Sequence, residues 1–311
     1  MSRDADGGIR NEELRRALDE AARGRGGSSR LAELLGRFSG LPGPRPNLAL
    51  AQSVGDAVAT RPPREASAIL GPLAADVAAP DTARVFLPMV AAWGYVALVR
   101  ERKVEPEAWA QLAVLAADER APVRLATAQA FASLASRDPR GGDVLVAAMA
   151  GWLGDPDDPG SGIEDREIRW GALATALDAI AERGALTTIR ERAPLLEVVS
   201  GWITELADAP RAAERSESRR RSLASLSVGA ALFVRDVRGA ADGVSWLEAE
   251  CARARHPDLR KAFEGSLERL GKRGASERAE TLARLTQALA SSAKPPRDPT
   301  LERKGTRRRG Q

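Results

Sequence analysis

A tryptophan-bearing apolar stretch, a turn, and an arginine just inside a second apolar stretch recur along this chain. The tryptophans are Trp109, Trp152, Trp202 and Trp246, and the paired arginines are Arg124, Arg169, Arg220 and Arg260. Successive tryptophans lie 43, 50 and 44 residues apart, and successive arginines 45, 51 and 40. A period of roughly 40–47 residues with two helices per unit is the spacing of stacked helical hairpins, each too thin to bury its apolar face alone. The expected fold is therefore all-α: a right-handed α-solenoid of stacked antiparallel helical hairpins.

Composition supports this reading. Ala and Leu dominate an apolar fraction of 43%, while aromatic residues make up only 4%. Such a mixture favours helix and lets neighbouring helices approach closely. Cys251 is the only cysteine, so no intrachain disulfide can form, which suits a cytoplasmic address. With His256 as the only histidine, a His- or Cys-based metal site within one chain is not expected. A Ser-His-Asp triad would have to run through His256. The run Arg255-His-Pro-Asp258 reads instead as a turn into a helix, with Pro257 at its first position. No catalytic, cofactor-binding or metal-ligating set is assigned.

The first residues carry acids and no apolar run, so no secretory signal is expected. No uninterrupted run of 18 apolar residues occurs, so no membrane span or membrane partner is expected either. The formal net charge of +4 is concentrated at one end. Residues 294–311 carry a net +5, leaving the rest near −1. The 42 arginines against 5 lysines reflect coding bias more than a binding surface.

Four segments follow from breakers and periodicity: a disordered start at 1–10, N-terminal helices at 11–60 that either join the stack or pack aside as a cap, the repeat array at 61–291, and a disordered basic tail at 292–311. Helices are expected at 11–23, 29–38, 47–60 with Asn47 as a cap, 64–78, and 81–100 with Pro88 near its start. The proline-rich stretch at 40–46 separates the second from the third. The paired helices then follow: 106–117 with 122–135, 143–153 with 164–181, 194–207 with 217–234, and 241–254 with 257–270. A helix at 276–291 closes the series.

The second helices share a wording. Ala121-Pro-Val-Arg-Leu-Ala-Thr-Ala-Gln-Ala-Phe is the clearest copy, repeated from Glu167-Ile-Arg-Trp-Gly-Ala-Leu-Ala and from Pro257-Asp-Leu-Arg-Lys-Ala-Phe. Arg84, 40 residues before Arg124, marks a degenerate earlier copy. These residues resemble the HEAT family of armadillo-type α-solenoid repeats, most closely at Asp118-Glu-Arg-Ala-Pro-Val-Arg124 and the helix after it. The family's unit has an Asp in the turn and a basic residue about six positions later, which Asp118 and Arg124 match. Asp165 and Asp258 lie only four and two residues before their arginines. The resemblance spans about 64–290 and implies Asp–Arg pairs that set one hairpin on the next. It implies a fold rather than an activity.

Two functional classes fit such a fold. The first is a non-enzymatic scaffold that binds another protein along the solenoid surface. The second is a DNA-binding or DNA alkylation repair-like HEAT protein, with nucleic acid held by the basic tail or by concave arginines. No repair-type Trp-Asp wording occurs, so no catalytic residue is carried over. The repeating tryptophans are expected to be buried hairpin glue. Candidate partner-binding residues lie where the rhythm fails: Trp93, Tyr95 and Trp170 as exposed aromatics, and the cluster Arg211, Arg215, Arg219, Arg220 and Arg221. Arg307, Arg308 and Arg309 in the tail complete the set. The cluster is expected to be a solvated helix start, and the acidic loop at 154–162 a solvated connector rather than a calcium site.

Overall fold

The computed structural model describes residues 11–24, 27–43, 45–102, 106–154, 162–181, 186–210, 212–236, 239–272 and 278–292. The first ten residues, the basic tail from 293 with Arg307, Arg308 and Arg309, Arg211 and most of the acidic loop lie outside them. Among the described residues the chain is all-α, with no strand. The helices are α1 (Asn11–Ala22), α2 (Gly27–Phe38), α3 (Leu48–Ala59), α4 (Pro63–Ala74), α5 (Phe86–Arg102), α6 (Pro106–Ala117) and α7 (Ala121–Arg137). There follow α8 (Gly141–Leu153), α9 (Arg166–Ala181), α10 (Ala193–Ala207), α11 (Glu217–Arg235), α12 (Ala240–Arg253), α13 (Pro257–Gly271) and α14 (Ala279–Ser292).

Helix starts follow local chemistry. Asn47 Oδ1 accepts from the Leu50 N–H at 3.1 Å and caps α3, as expected from sequence. His256 Nδ1 accepts from the Asp258 N–H at 3.2 Å, with Pro257 at the first position of α13. That single histidine is thereby a capping residue. The turns are held by a repeated device. Asp76, Asp118, Asp138 and Asp165 each accept, through Oδ1, from the backbone N–H two residues on, at 2.7–3.0 Å. A carboxylate that satisfies the backbone this way competes with helix continuation. It explains why α4 stops at Ala74 rather than running to 78.

The chain forms two compact units. The first comprises Met1–Trp202 with Pro210–Ser225, and the second Ile203–Ala209 with Leu226–Gln311. In the first unit α3, α5, α7 and α9 pack in succession, while α4, α6 and α8 lie against that row. Residues 11–60 do not stand aside as one cap: α1 and α2 pair with each other and meet α4, whereas α3 lies along α5. An ion pair from Arg61 Nη2 to Asp19 Oδ1, 2.6 Å, ties α1 to the turn before α4.

Helices α5 and α9 are apolar on nearly every side because both are enclosed. From Phe86 to Val99 every apolar side chain of α5 is buried, as are Trp170, Leu173, Leu177 and Ile180 of α9. Ala83–Glu101 is long and apolar enough to span a bilayer by length and composition, but 83% of its apolar window is buried inside the protein. Aromatic rings join α6, α7 and α8. Trp109, Phe131 and Trp152 form a ring cluster with centroids 5.9–6.4 Å apart. Trp152 Nε1 also donates to the Trp109 carbonyl, 43 residues earlier, at 3.2 Å. Trp152 and Trp202 are buried, and Trp109 is half-buried.

The second unit is organised around α12, α13 and α14. Leu247, Cys251, Leu259, Phe263, Leu285 and Leu289 form its core. Phe233 meets Trp246 edge-on at 5.5 Å, and Ser266 Oγ donates to the Ser227 carbonyl at 3.0 Å.

Candidate partner-binding groove

Arginine occupies the fourth position of α7, α9, α11 and α13, as Arg124, Arg169, Arg220 and Arg260. The rhythm is therefore a helix-start register. The bonds these arginines make differ from the expected series of turn-carboxylate pairs. Arg124 Nη1 donates to the carbonyls of Asp118 and Glu119 at 2.8 and 2.6 Å. Arg169 Nη1 donates to the Ile163 carbonyl, also six residues back. Arg260 Nη1 reaches the Leu289 carbonyl and Ser292 Oγ at 2.8 and 2.6 Å. Arg84, on Asp76 at 2.6 Å, and Arg220, on Glu217 at 2.5 Å, do show carboxylate pairing. Arg124, Arg169 and Arg260 thus donate to backbone carbonyls left open at helix ends and turns.

The residue that joins neighbouring turns is Arg120, which the sequence pattern did not single out. Its Nη1 donates to the Asp76 and Ala78 carbonyls at 2.8 and 3.1 Å. Its Nε and Nη2 hold Asp118 at 2.9 and 2.6 Å. The hydrogen bond to Asp118 raises its guanidinium pKa further above the usual range.

The aromatic candidates are corrected by burial. Trp93 and Tyr95 are each 8% exposed and Trp170 is fully buried, so none presents a face to a partner. Trp93-Gly-Tyr95 lies on enclosed α5, and the Trp170 ring packs under the Arg166 guanidinium at 5.7 Å. Burial also raises the Tyr95 phenol pKa.

The arginine cluster is dispersed rather than shared. A helix turns about 100° per residue, so consecutive side chains point apart. Arg215 and Arg220 are exposed, Arg219 is buried to 1%, and Arg221 is half-buried. The expectation of a uniformly solvated helix start therefore fails at Arg219 and Arg221. Arg221 Nη2 donates to Thr175 Oγ1 at 2.9 Å and approaches the Ala116 carbonyl at 3.4 Å, to which Thr175 Oγ1 itself donates at 2.7 Å. One side chain thus links α11 to α9 and to the end of α6.

These turn ends line a groove of about 800 Å³ in the first unit. Val77–Pro80 follow α4, Val114 and Ala117 close α6, and Asp118–Arg120 lead to Arg124 of α7. Glu167 and Ile168 enter from α9, and Glu217, Ser218 and Arg221 from α11. A second depression shares Pro80 and is lined by Leu41, Pro42, Pro46, Pro122 and Leu125. Val77 is 92% exposed, and Val114 and Leu125 are each 48% exposed. They are three of the four exposed large apolar side chains among the described residues, so the exposed apolar surface is concentrated here. Their sequence signal is weak: Val77 stands in a loop, and Val114 and Leu125 fall inside apolar helices among residues that are mostly buried or half-buried.

Nothing at the groove or elsewhere among the described residues groups three His, Cys, Asp or Glu side chains about a metal position. Cys251 in the second unit is buried, and burial together with Glu250 and Glu248 pushes its thiol up to about 12 from 9.0. The unfolded thiol ionises first, so the unfolded state binds fewer protons between these values. Stability therefore falls as pH rises from about 9 towards about 12. A thiol-specific reagent at pH 8 should leave the native protein unlabelled and label it stoichiometrically in denaturant. Rapid native labelling would contradict this burial. Compared with protein-family models the chain matches none, and comparison with the curated proteins finds no relative.

Proposed function

We propose that this chain is a HEAT-like array of stacked helical hairpins that serves as a non-catalytic scaffold, binding a partner protein along the groove at its hairpin turns. The observation that carries this reading is the exposure of Val77 and Val114 in the groove, and of Leu125 in the depression that shares Pro80 with it, within an otherwise well-buried apolar set. Exposed apolar side chains rimmed by polar ones mark interaction sites. The recurring fourth-position arginine and the tryptophan that spans successive hairpins favour the repeat reading. Asp118, Glu119, Glu167 and Glu217 sit among the groove's arginines and would repel a phosphate backbone, which favours protein over DNA.

A photo-cross-linking residue placed at Val77 or Leu125 tests this in native lysate, with exposed Ser136 on α7 as the control position. The expected result is a discrete cross-linked protein at Val77 in the groove and at Leu125 in the adjoining depression, absent at the control and lost in Val114→Asp. Identical patterns at all three positions, or none at any, would overturn the reading.

A further inference from the structure

The groove contains two guanidiniums whose charge is not matched at contact distance. Arg124 and Arg221 both line it, and neither makes an ion pair within 4.0 Å among the described residues. Each is anchored on one side only. Arg124 spends Nη1 on the Asp118 and Glu119 carbonyls, and Arg221 spends Nη2 on Thr175 and the Ala116 carbonyl. A guanidinium has five N–H donors, so each retains donors beyond those bonds. Both forks are fixed by the end of α6 and the turn after it, which positions them before any ligand arrives.

Resting on the scaffold reading, we propose that this groove recognises an extended segment of a partner protein that carries a single carboxylate beside an apolar residue, the carboxylate bridging Arg124 and Arg221 and the apolar side chain seated against Val77 and Val114. Carboxylate bound by two guanidiniums makes short charge-assisted bonds, among the strongest available on a wet surface. Its single charge suits a groove that also carries Glu119, Glu167 and Glu217, whereas a dianionic phosphate would meet stronger repulsion from them. Burial and the Arg124 charge hold the Arg221 guanidinium down at about 10, against weaker pulls from Asp178 and Glu217. It remains cationic at neutral pH, and an added anion would relieve that strain.

The test is selection of random unphosphorylated 12-residue peptides on the full-length chain, followed by affinity measurement of the winners. Asp or Glu beside an apolar residue should be enriched. Binding should fall about tenfold or more in Arg124→Gln, the equivalent of losing one charge-assisted contact. It should be unchanged in Arg64→Gln, an exposed arginine of α4 that does not line the groove. Thermal melting confirms that Arg124→Gln is folded; if it is not, Arg124→Lys replaces it, with a smaller loss expected because the planar fork is gone. Peptides without acidic enrichment, an affinity indifferent to Arg124, or no selected peptide would each overturn the proposal. So would displacement of the peptides by a short DNA duplex at lower concentration than by the peptides themselves. Position-specific cross-linking at Val77 and Leu125 would survive those outcomes, which separates this failure from failure of the scaffold reading.

Discussion

Trp152→Ala is expected to lower the unfolding free energy by about 3–5 kcal/mol, the cost of deleting a large buried aromatic side chain. Trp152 is 3% exposed and closes a cluster with Trp109 and Phe131 at centroid distances of 5.9 Å each. Removing the indole leaves a cavity among α6, α7 and α8 and frees the Trp109 carbonyl from its 3.2 Å bond. Both losses fall on the same junction, so their effects reinforce each other. The measurement is a shift of the denaturant midpoint at unchanged slope. Trp152→Phe should recover more than half of the loss, because it restores the ring contacts but not the N–H bond. A cost for Trp152→Ala below about 1 kcal/mol, typical of a surface position, would refute the junction's role.

Gly55→Val is the second large effect, at about 3 kcal/mol of destabilisation or more. A Cβ at Gly55 would lie 2.6 Å from the Gly94 nitrogen and 2.7 Å from the Trp93 carbonyl carbon. Those are backbone atoms of α5, so no side-chain rotation can relieve the clash. The α3 and α5 axes would have to separate, which opens the core around Val54, Val58 and Met89. Gly71→Ala provides the contrast: its Cβ would meet nothing within 4 Å, and α4 should gain slightly from the better helix former. Equal melting temperatures for Gly55→Val and the parent would show that the two helices are not in close contact.

Helix positions were highly legible in sequence, since the expected 106–117 and 217–234 correspond to α6 and α11 within a residue. Such segments are set by breakers and by apolar period, both local properties. Pro257 announced the start of α13, and Asn47 the cap of α3. The end of α4 was missed because the Asp76 turn outweighed the helix propensity of the alanines after it. The binding candidates fared differently. Departure from the rhythm singled out Trp93, Tyr95 and Trp170, yet those aromatics lie on α5 and α9, where nearly every apolar side chain is buried. Arg221 was included only as one member of a run, although it is the one that enters the groove. Arg120 escaped notice because its partners, two backbone carbonyls 42 and 44 residues away, leave no trace in side-chain spacing.

The sequence by itself determined the helices, their order, and the fourth-position arginine in the second helix of each pair. These depend on capping, periodicity and propensity over a few neighbouring residues. Tertiary structure alone decided which arginines pair with carbonyls and which face a groove, which tryptophans are enclosed, and where apolar surface stays exposed. Those outcomes depend on which turns are brought together, and residues 42–105 positions apart meet there for reasons of packing that no local window contains.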